Sequence, residues 1–271
     1  MVTLAAASWG TWSLFLVPTG LPWIVTSALV FAIMGAVALP FALRVRVRWD
    51  RETLVLLLLN TAFDALNLVA FFAAMAHTTL AIAVLTHYAA PILIAIAAPR
   101  IDGVTSRGVG PAAAVALIGL VVVLEPWREH DGGALLGAAF GLASACCYAG
   151  NVFVVRRLAR RIGPIPALSY HSLLAAVILL PFALGGLPAV TGSDLGILAI
   201  GATTIGAVSG VVFATGLLRI GSARAAVLTF AEPLVAVGVG ALVWEQPLHP
   251  LAALGGAMVI GAGIHVARKA T

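Results

Sequence analysis

The amino-acid sequence predicts an all-α integral membrane protein, ten transmembrane helices arranged as two inverted five-helix repeats. Three observations lead there. The 271-residue chain is 62% hydrophobic and 9% charged, with a mean hydropathy of +1.12, whereas a soluble domain carries about 25% charged residues. Two apolar stretches, 79–99 and 221–241, each hold Ala-Val-Leu-Thr, an aromatic residue and a mid-span proline; Pro91 and Pro233 lie 142 residues apart, close to half the chain. Arginine, finally, recurs after every second apolar run.

A bilayer-crossing helix needs about 20 apolar residues, and on that basis the spans fall at 2–17, 22–43, 54–76, 79–98, 108–124, 133–156, 165–184, 193–218, 222–243 and 248–267. No basic segment precedes the first run, which argues against a cleaved signal peptide; because the run begins almost at Met1, this helix is expected to have lost a short leader. Pro18-Thr19-Gly20 turns the chain after the first span, and Gly185-Gly186-Leu187-Pro188 after the seventh. The sixth span repeats glycine every fourth residue (Gly133, Gly137, Gly141), as the eighth does with Gly206 and Gly210. That spacing lets helices approach closely in lipid. Cys146 and Cys147 are adjacent within an apolar run and read as packing residues, since neighbours rarely pair and two cysteines make no zinc site.

The basic residues test the helix count. Arg44, Arg46, Arg48 and Arg51 follow the second span, Arg100 and Arg107 the fourth, and Arg156, Arg157, Arg160 and Arg161 the sixth. Arg219 and Arg224 follow the eighth, Arg268 and Lys269 the tenth. Fourteen of the 15 Lys and Arg residues thus share one side, leaving only Arg128 opposite. The positive-inside rule places that side, with both termini, in the cytoplasm. It also explains the net charge of +5 without a nucleic-acid partner. Five crossings per half force the second half to run in the opposite sense. The expected division is 1–124 for the first repeat, 125–132 for an acidic linker loop and 133–271 for the second repeat, within one membrane domain.

Nothing assembles an enzyme: there is no Walker-type loop, HExxH, CxxC or GxSxG. No cofactor or metal is expected. What remains is a set of polar side chains inside apolar spans, each costly there unless it faces protein or water. Asn60, Asp64 and Asn67 lie at i, i+4 and i+7 on one helical face, which Phe71 continues. Such a stripe suits an ammonium or polar backbone group, or merely an interhelical seam. Ser144, Tyr148 and Asn151 repeat the spacing in the sixth span. His87 and Tyr88 precede Pro91, which frees the carbonyl four residues back, that of His87; Thr229 stands likewise to Pro233, next to Glu232. Both prolines are expected to kink their helices. Glu232 is a candidate coupling group or a carboxyl fixed against a neighbouring helix. Trp9 and Trp12 are candidates for an aromatic cavity wall, while Trp23, Trp49, Trp127 and Trp244 read as interfacial anchors. Tyr170 and His171 have no evident partner.

Residues 222–245, SARAAVLTFAEPLVAVGVGALVWE, with Gln246-Pro247-Leu248 and a glycine-rich last span (Gly255, Gly256, Gly261, Gly263), resemble the signature of the EamA-like family of the drug/metabolite transporter superfamily. Ser8-Trp9-Gly10 resembles its opening motif. Within the family, the chain is most similar to bacterial exporters of aromatic and other amino acids, of the YddG type. The resemblance implies an inner-membrane secondary transporter, with export of small organic solutes, amino acids foremost, by alternating access through a central cavity. The partners implied are a small-molecule substrate and lipid; the oligomeric state is left open, with a monomer compatible. One departure stands out: Ala90-Pro91 occupies the place of Glu232-Pro233, so an acidic function there exists once. A nucleotide-sugar carrier, a passive channel and a membrane enzyme are the alternatives, the first disfavoured because the arginines cluster at helix ends.

Overall fold

The computed structural model describes residues 1–103, 108–128, 134–245 and 250–268, and within them the regular secondary structure is entirely helical. Arg107, Gly133, most of the 125–132 linker, Gln246-Pro247-Leu248 and Lys269 lie outside the described residues. The helices are α1 (Val2–Trp9), α2 (Ser13–Leu16), α3 (Trp23–Ala42), α4 (Arg51–His77), α5 (Leu80–His87), α6 (Ala90–Ile101) and α7 (Val109–Leu124). They continue with α8 (Ala134–Ile162), α9 (Pro164–Ala183), α10 (Gly192–Gly201), α11 (Ser209–Ile220), α12 (Ser222–Leu228), α13 (Ala231–Val243) and α14 (Pro250–Arg268). A π-helical turn, Ala202–Val208, joins α10 to α11.

Eight helical stretches among the described residues are long and apolar enough to cross a membrane. Of the two other expected spans, 108–124 is the 16-residue α7. The span at 2–17 is broken between α1 and α2. The break has a local cause: the Thr11 hydroxyl donates to the Ser8 carbonyl at 2.6 Å, and the Thr11 and Trp12 amides take carbonyls three residues back. Hydroxyl side chains that bond their own backbone compete with the helical ladder.

Two boundaries move outward from the apolar runs. α4 begins at Arg51, with Asp50 accepting from the Thr53 amide at 2.9 Å, and α8 runs on to Ile162. Arg156–Arg161 are therefore helical, not loop residues. Apolarity stops at a charge, whereas backbone hydrogen bonding does not. The Arg161 guanidinium explains how this end is held: it donates to Glu52 and to Asp50 at 2.6 Å each and to the Thr53 hydroxyl at 3.2 Å. The Thr53 hydrogen bonds, with Arg161 added, hold the Asp50 carboxyl below its ordinary value of 3.8. Arg156 is buried and donates to the Leu217 carbonyl.

By spatial clustering the chain forms two units, each drawing on both halves of the sequence: 1–62 with 154–218, and 63–153 with 219–271. In the first, α3 packs along α9, and the Ser169 hydroxyl donates to the Gly35 carbonyl at 2.9 Å. Leu56, Leu57, Leu158, Ala159, Ile162 and Ala167 form a buried cluster, with Val47 and Tyr170 packed on it. The Trp49 ring meets that of Tyr170, tilted at 5.0 Å, giving that tyrosine a partner, and His171 is buried with Nδ1 3.2 Å from the Ala167 carbonyl oxygen. In the second unit α7 packs on α14 and α6 on α12. Gly119 and Gly255 make the α7–α14 crossing possible, because a methyl group on Gly119 would sit 2.7 Å from the Gly255 carbonyl oxygen. Cys146 is exposed and Cys147 half-buried, both as free thiols, so only Cys147 packs.

Candidate functional site

Two interrupted helices build the site, both in the second unit. α5 ends at His87 and α6 starts at Ala90, with Pro91 in the first turn of α6; Tyr88 and Ala89 form the turn between them. α12 ends at Leu228 and α13 starts at Ala231, with Thr229 and Phe230 between and Pro233 buried in the first turn. A proline cannot donate to the carbonyl one turn back, and both helices restart there. At the second break the Thr229 carbonyl is not left free as the sequence suggested. It accepts the Glu232 amide at 3.0 Å, a tighter turn that absorbs the missing bond.

His87 is held from two other helices. Its Nδ1 lies 2.8 Å from the Ser144 hydroxyl on α8, which lies 2.7 Å from Asn67 Oδ1 and 3.2 Å from the Asn67 carbonyl on α4. Its ring meets Phe71 at 5.0 Å, Tyr88 at 5.3 Å and Tyr148 at 5.4 Å. The i, i+4, i+7 stripes thus deliver Asn67 and Phe71 from α4, and Ser144 and Tyr148 from α8. Gly141, one turn before Ser144, lets α8 approach α5, since a methyl there would overlap the Thr86 hydroxyl.

Tyr88 shares a hydrogen bond with the Glu232 carboxyl, and Tyr148 one with Thr229. Phe230 closes on Tyr88 at 5.5 Å. Together these groups surround a small recess, lined by His87, Tyr88, Tyr148, Thr229 and Glu232 and by Ala90 and Pro91 at the helix break. Among the described residues no Lys or Arg lines it. Among the described residues no three His, Cys, Asp or Glu side chains gather as a metal site would require.

The structure therefore brings together His87, Tyr88, Tyr148, Thr229, Glu232 and Pro91, with Asn67 joined through Ser144. Asp64 acts electrostatically on Tyr148, and Asn151 is half-buried on α8. Trp9, Trp12 and Asn60 belong to the first unit. Asn60 is buried there. The Trp9 indole N–H donates to the Ile205 carbonyl inside the π-helical turn at 3.1 Å, and its ring contacts Phe213 at 4.9 Å. The Ser8 hydroxyl lies 2.7 Å from that of Ser209 just beyond the turn. The sequence reading overlooked Phe230, although it stands 142 residues from Tyr88, the offset of the prolines. It also overlooked Ser209 and the π-helical turn, which no periodicity announces.

Helices that cross a membrane, broken in mid-span around a small mixed-polarity recess, define a membrane transporter. Comparison with known proteins narrows this. A model of the EamA-like transporter family matches residues 135–267. An "uncharacterized transporter" of Archaeoglobus fulgidus is 30% identical over 271 residues, covering 98% of this chain and 94% of that protein. A solved crystal structure 23% identical in sequence superposes with a TM-score of 0.84 over 98% of this chain and 96% of its own, a likeness of fold. The chain belongs to the EamA-like transporter family.

Proposed function

We propose that this transporter exports small organic solutes, amino acids including aromatic ones foremost, by alternating access. One observation supports the reading best: two helices interrupted one half-chain apart close on a single recess that sets an imidazole, a carboxyl and hydroxyls between aromatic rings. Broken helices are where transporters of repeated architecture place their substrates. On this reading ten crossings form two inverted repeats, 1–124 and 133–271 joined at 125–132, in the inner membrane with both termini cytoplasmic. Pro91 and Pro233 mark the flexing points. His87, Tyr88, Tyr148 and Thr229, with Asn67 behind His87, contact or shape the substrate, and Glu232 is the coupling group. Trp9, Trp12, Asn60, Asp64 and Asn151 remain candidate substrate residues. The recess has room for about one water-sized group, far less than the roughly 300–1,000 Å³ of common ligand pockets; it receives one end of a solute. A carrier of nucleotide-sugars or phosphorylated metabolites would surround its ligand with basic side chains, and among the described residues this recess has none.

Flux into proteoliposomes tests the reading. Labelled amino acids are expected to enter faster than into protein-free vesicles, and His87→Ala to remove the difference. Accumulation above equilibrium under an imposed pH gradient, lost in Glu232→Gln while counterflow persists, would assign coupling to Glu232; equilibration alone would mean a facilitator or channel. If no small solute enters faster than into empty vesicles, the reading falls.

A further inference from the structure

We propose that the recess recognises its solute through a protonated amino group and, among the described residues, offers no basic side chain to hold a carboxylate. The inference rests on the reading above for the recess being the substrate site, and follows from where each proton in it goes. The Ser144 hydroxyl has one proton, and both its acceptors belong to Asn67, Oδ1 at 2.7 Å and the carbonyl at 3.2 Å. With Ser144 donating to Asn67 in this way, the 2.8 Å contact to His87 Nδ1 is the imidazole donating to Ser144. A neutral ring with its proton on Nδ1 carries a bare lone pair on Nε2, which has no hydrogen-bond partner among the described residues. Thr229 donates to the Ala226 carbonyl at 2.6 Å, so its hydroxyl oxygen accepts from Tyr148. Tyr88 in turn donates to the Glu232 carboxyl.

Every side-chain hydroxyl and N–H proton on the recess wall is thus committed within the protein. The side chains of the recess wall offer acceptors and π-faces: His87 Nε2, the carboxyl oxygens of Glu232, the phenol oxygens and the rings of Tyr88 and Tyr148. Pro91 contributes no N–H. A solute carboxylate, which only accepts, would meet lone pairs and the acidic Glu232. An alkylammonium brings three donors and a positive charge, suited to a carboxyl and to aromatic faces, and its –NH₃⁺ head is about the size of the single water for which the recess has room.

Three compounds on one phenylethyl frame separate the cases: phenethylamine, phenylalanine and 3-phenylpropionate. Calorimetry on the purified protein in nanodiscs at pH 8, above the usual imidazole range, is expected to rank the amine first. Phenylalanine should bind more weakly, and phenylpropionate at least about tenfold more weakly than the amine, a gap of one decade in Kd. Glu232→Gln, which adds amide donors, should weaken amine binding and narrow that gap. If that variant does not hold its fold, ¹⁵N NMR of His87 in the native chain decides: phenethylamine should shift Nε2 and phenylpropionate should not. Phenylpropionate binding as tightly as the amine, binding by none of the three, or an Nε2 signal indifferent to the amine overturns the inference. Vesicles that carry the acid as fast as the amine would refute this recognition and leave transport standing. An amine that binds but never crosses would do the reverse.

Discussion

Replacing Ser144 by alanine removes the one group that links His87 on α5 to Asn67 on α4. The side chain is fully buried, so no water replaces it readily. Two links disappear, His87 Nδ1 to Ser144 at 2.8 Å and the forked bond of Ser144 to Asn67, Oδ1 at 2.7 Å and the carbonyl at 3.2 Å. In membrane proteins such interhelical bonds measure about 0.6 kcal/mol on average and at most about 1.7, which puts the loss at roughly 1–3 kcal/mol. Unfolding titrations in detergent read that total. A double-mutant cycle of Ser144→Ala with His87→Ala isolates the His87 link, expected near the lower of those two values. The variant also loses the acceptor that fixes the imidazole proton on Nδ1, so ¹⁵N NMR should turn from a single Nδ1–H form to a mixture of tautomers. A coupling of zero together with an unchanged tautomer would refute the chain of donors, and with it the claim that Nε2 is bare.

Three further outcomes follow from other contacts. Gly255→Val would set a side chain 2.8 Å from both the Val123 amide nitrogen and Val123 Cγ2, and overpacking of this kind costs about 1–3 kcal/mol. Gly256→Val, whose Cβ would lie 3.8 Å from Leu234, is the control that should melt like the native protein. Trp9→Phe keeps the aromatic contact with Phe213 but loses the N–H to Ile205; hydrogen exchange of amides 202–208 should accelerate, and unchanged exchange would mean the indole does not brace the π-helical turn. For Asp50, the folded-state value sits below 3.8, so its contribution is present above pH 3.8 and fades as the pH falls through the lower folded value. The melting difference between native protein and Asp50→Asn should therefore hold from neutral pH to about 4 and shrink below it.

The sequence exposed the interruptions of the site because proline acts locally: Pro91 and Pro233 lose a backbone donor whatever surrounds them, and both helices break within three residues of them. The polar stripes on α4 and α8 were legible for the same reason, as helical spacing decides which residues share a face. Which stripe faces which partner was not, since His87 and Ser144 are 57 positions apart and nothing in either segment names the other. Trp9 shows the limit most plainly. Its size and polarity suit a cavity wall, yet its N–H serves the Ile205 carbonyl in a π-helical turn. That turn, in its own segment, reads as ordinary helix from 193 to 218. Arg156 misled in a different way, because a buried guanidinium becomes tolerable once a carbonyl such as that of Leu217 receives it.

The junction of α8 and α9 is a single residue, Gly163, at φ 90°. Its amide closes the last turn of α8 on Ala159, and its carbonyl opens α9 through Ala167. Pro164 then starts the new helix with a preset φ. So short a connection leaves no slack for a protease to grip or for an inserted reporter to occupy. Engineering of this chain, whether a new pair of termini, a fluorescent insert or an antibody epitope, should avoid that corner. The six-residue turn Leu184–Ala189 at the other end of α9, where Leu184 and Gly185 are exposed, has the surface position that tolerates such additions.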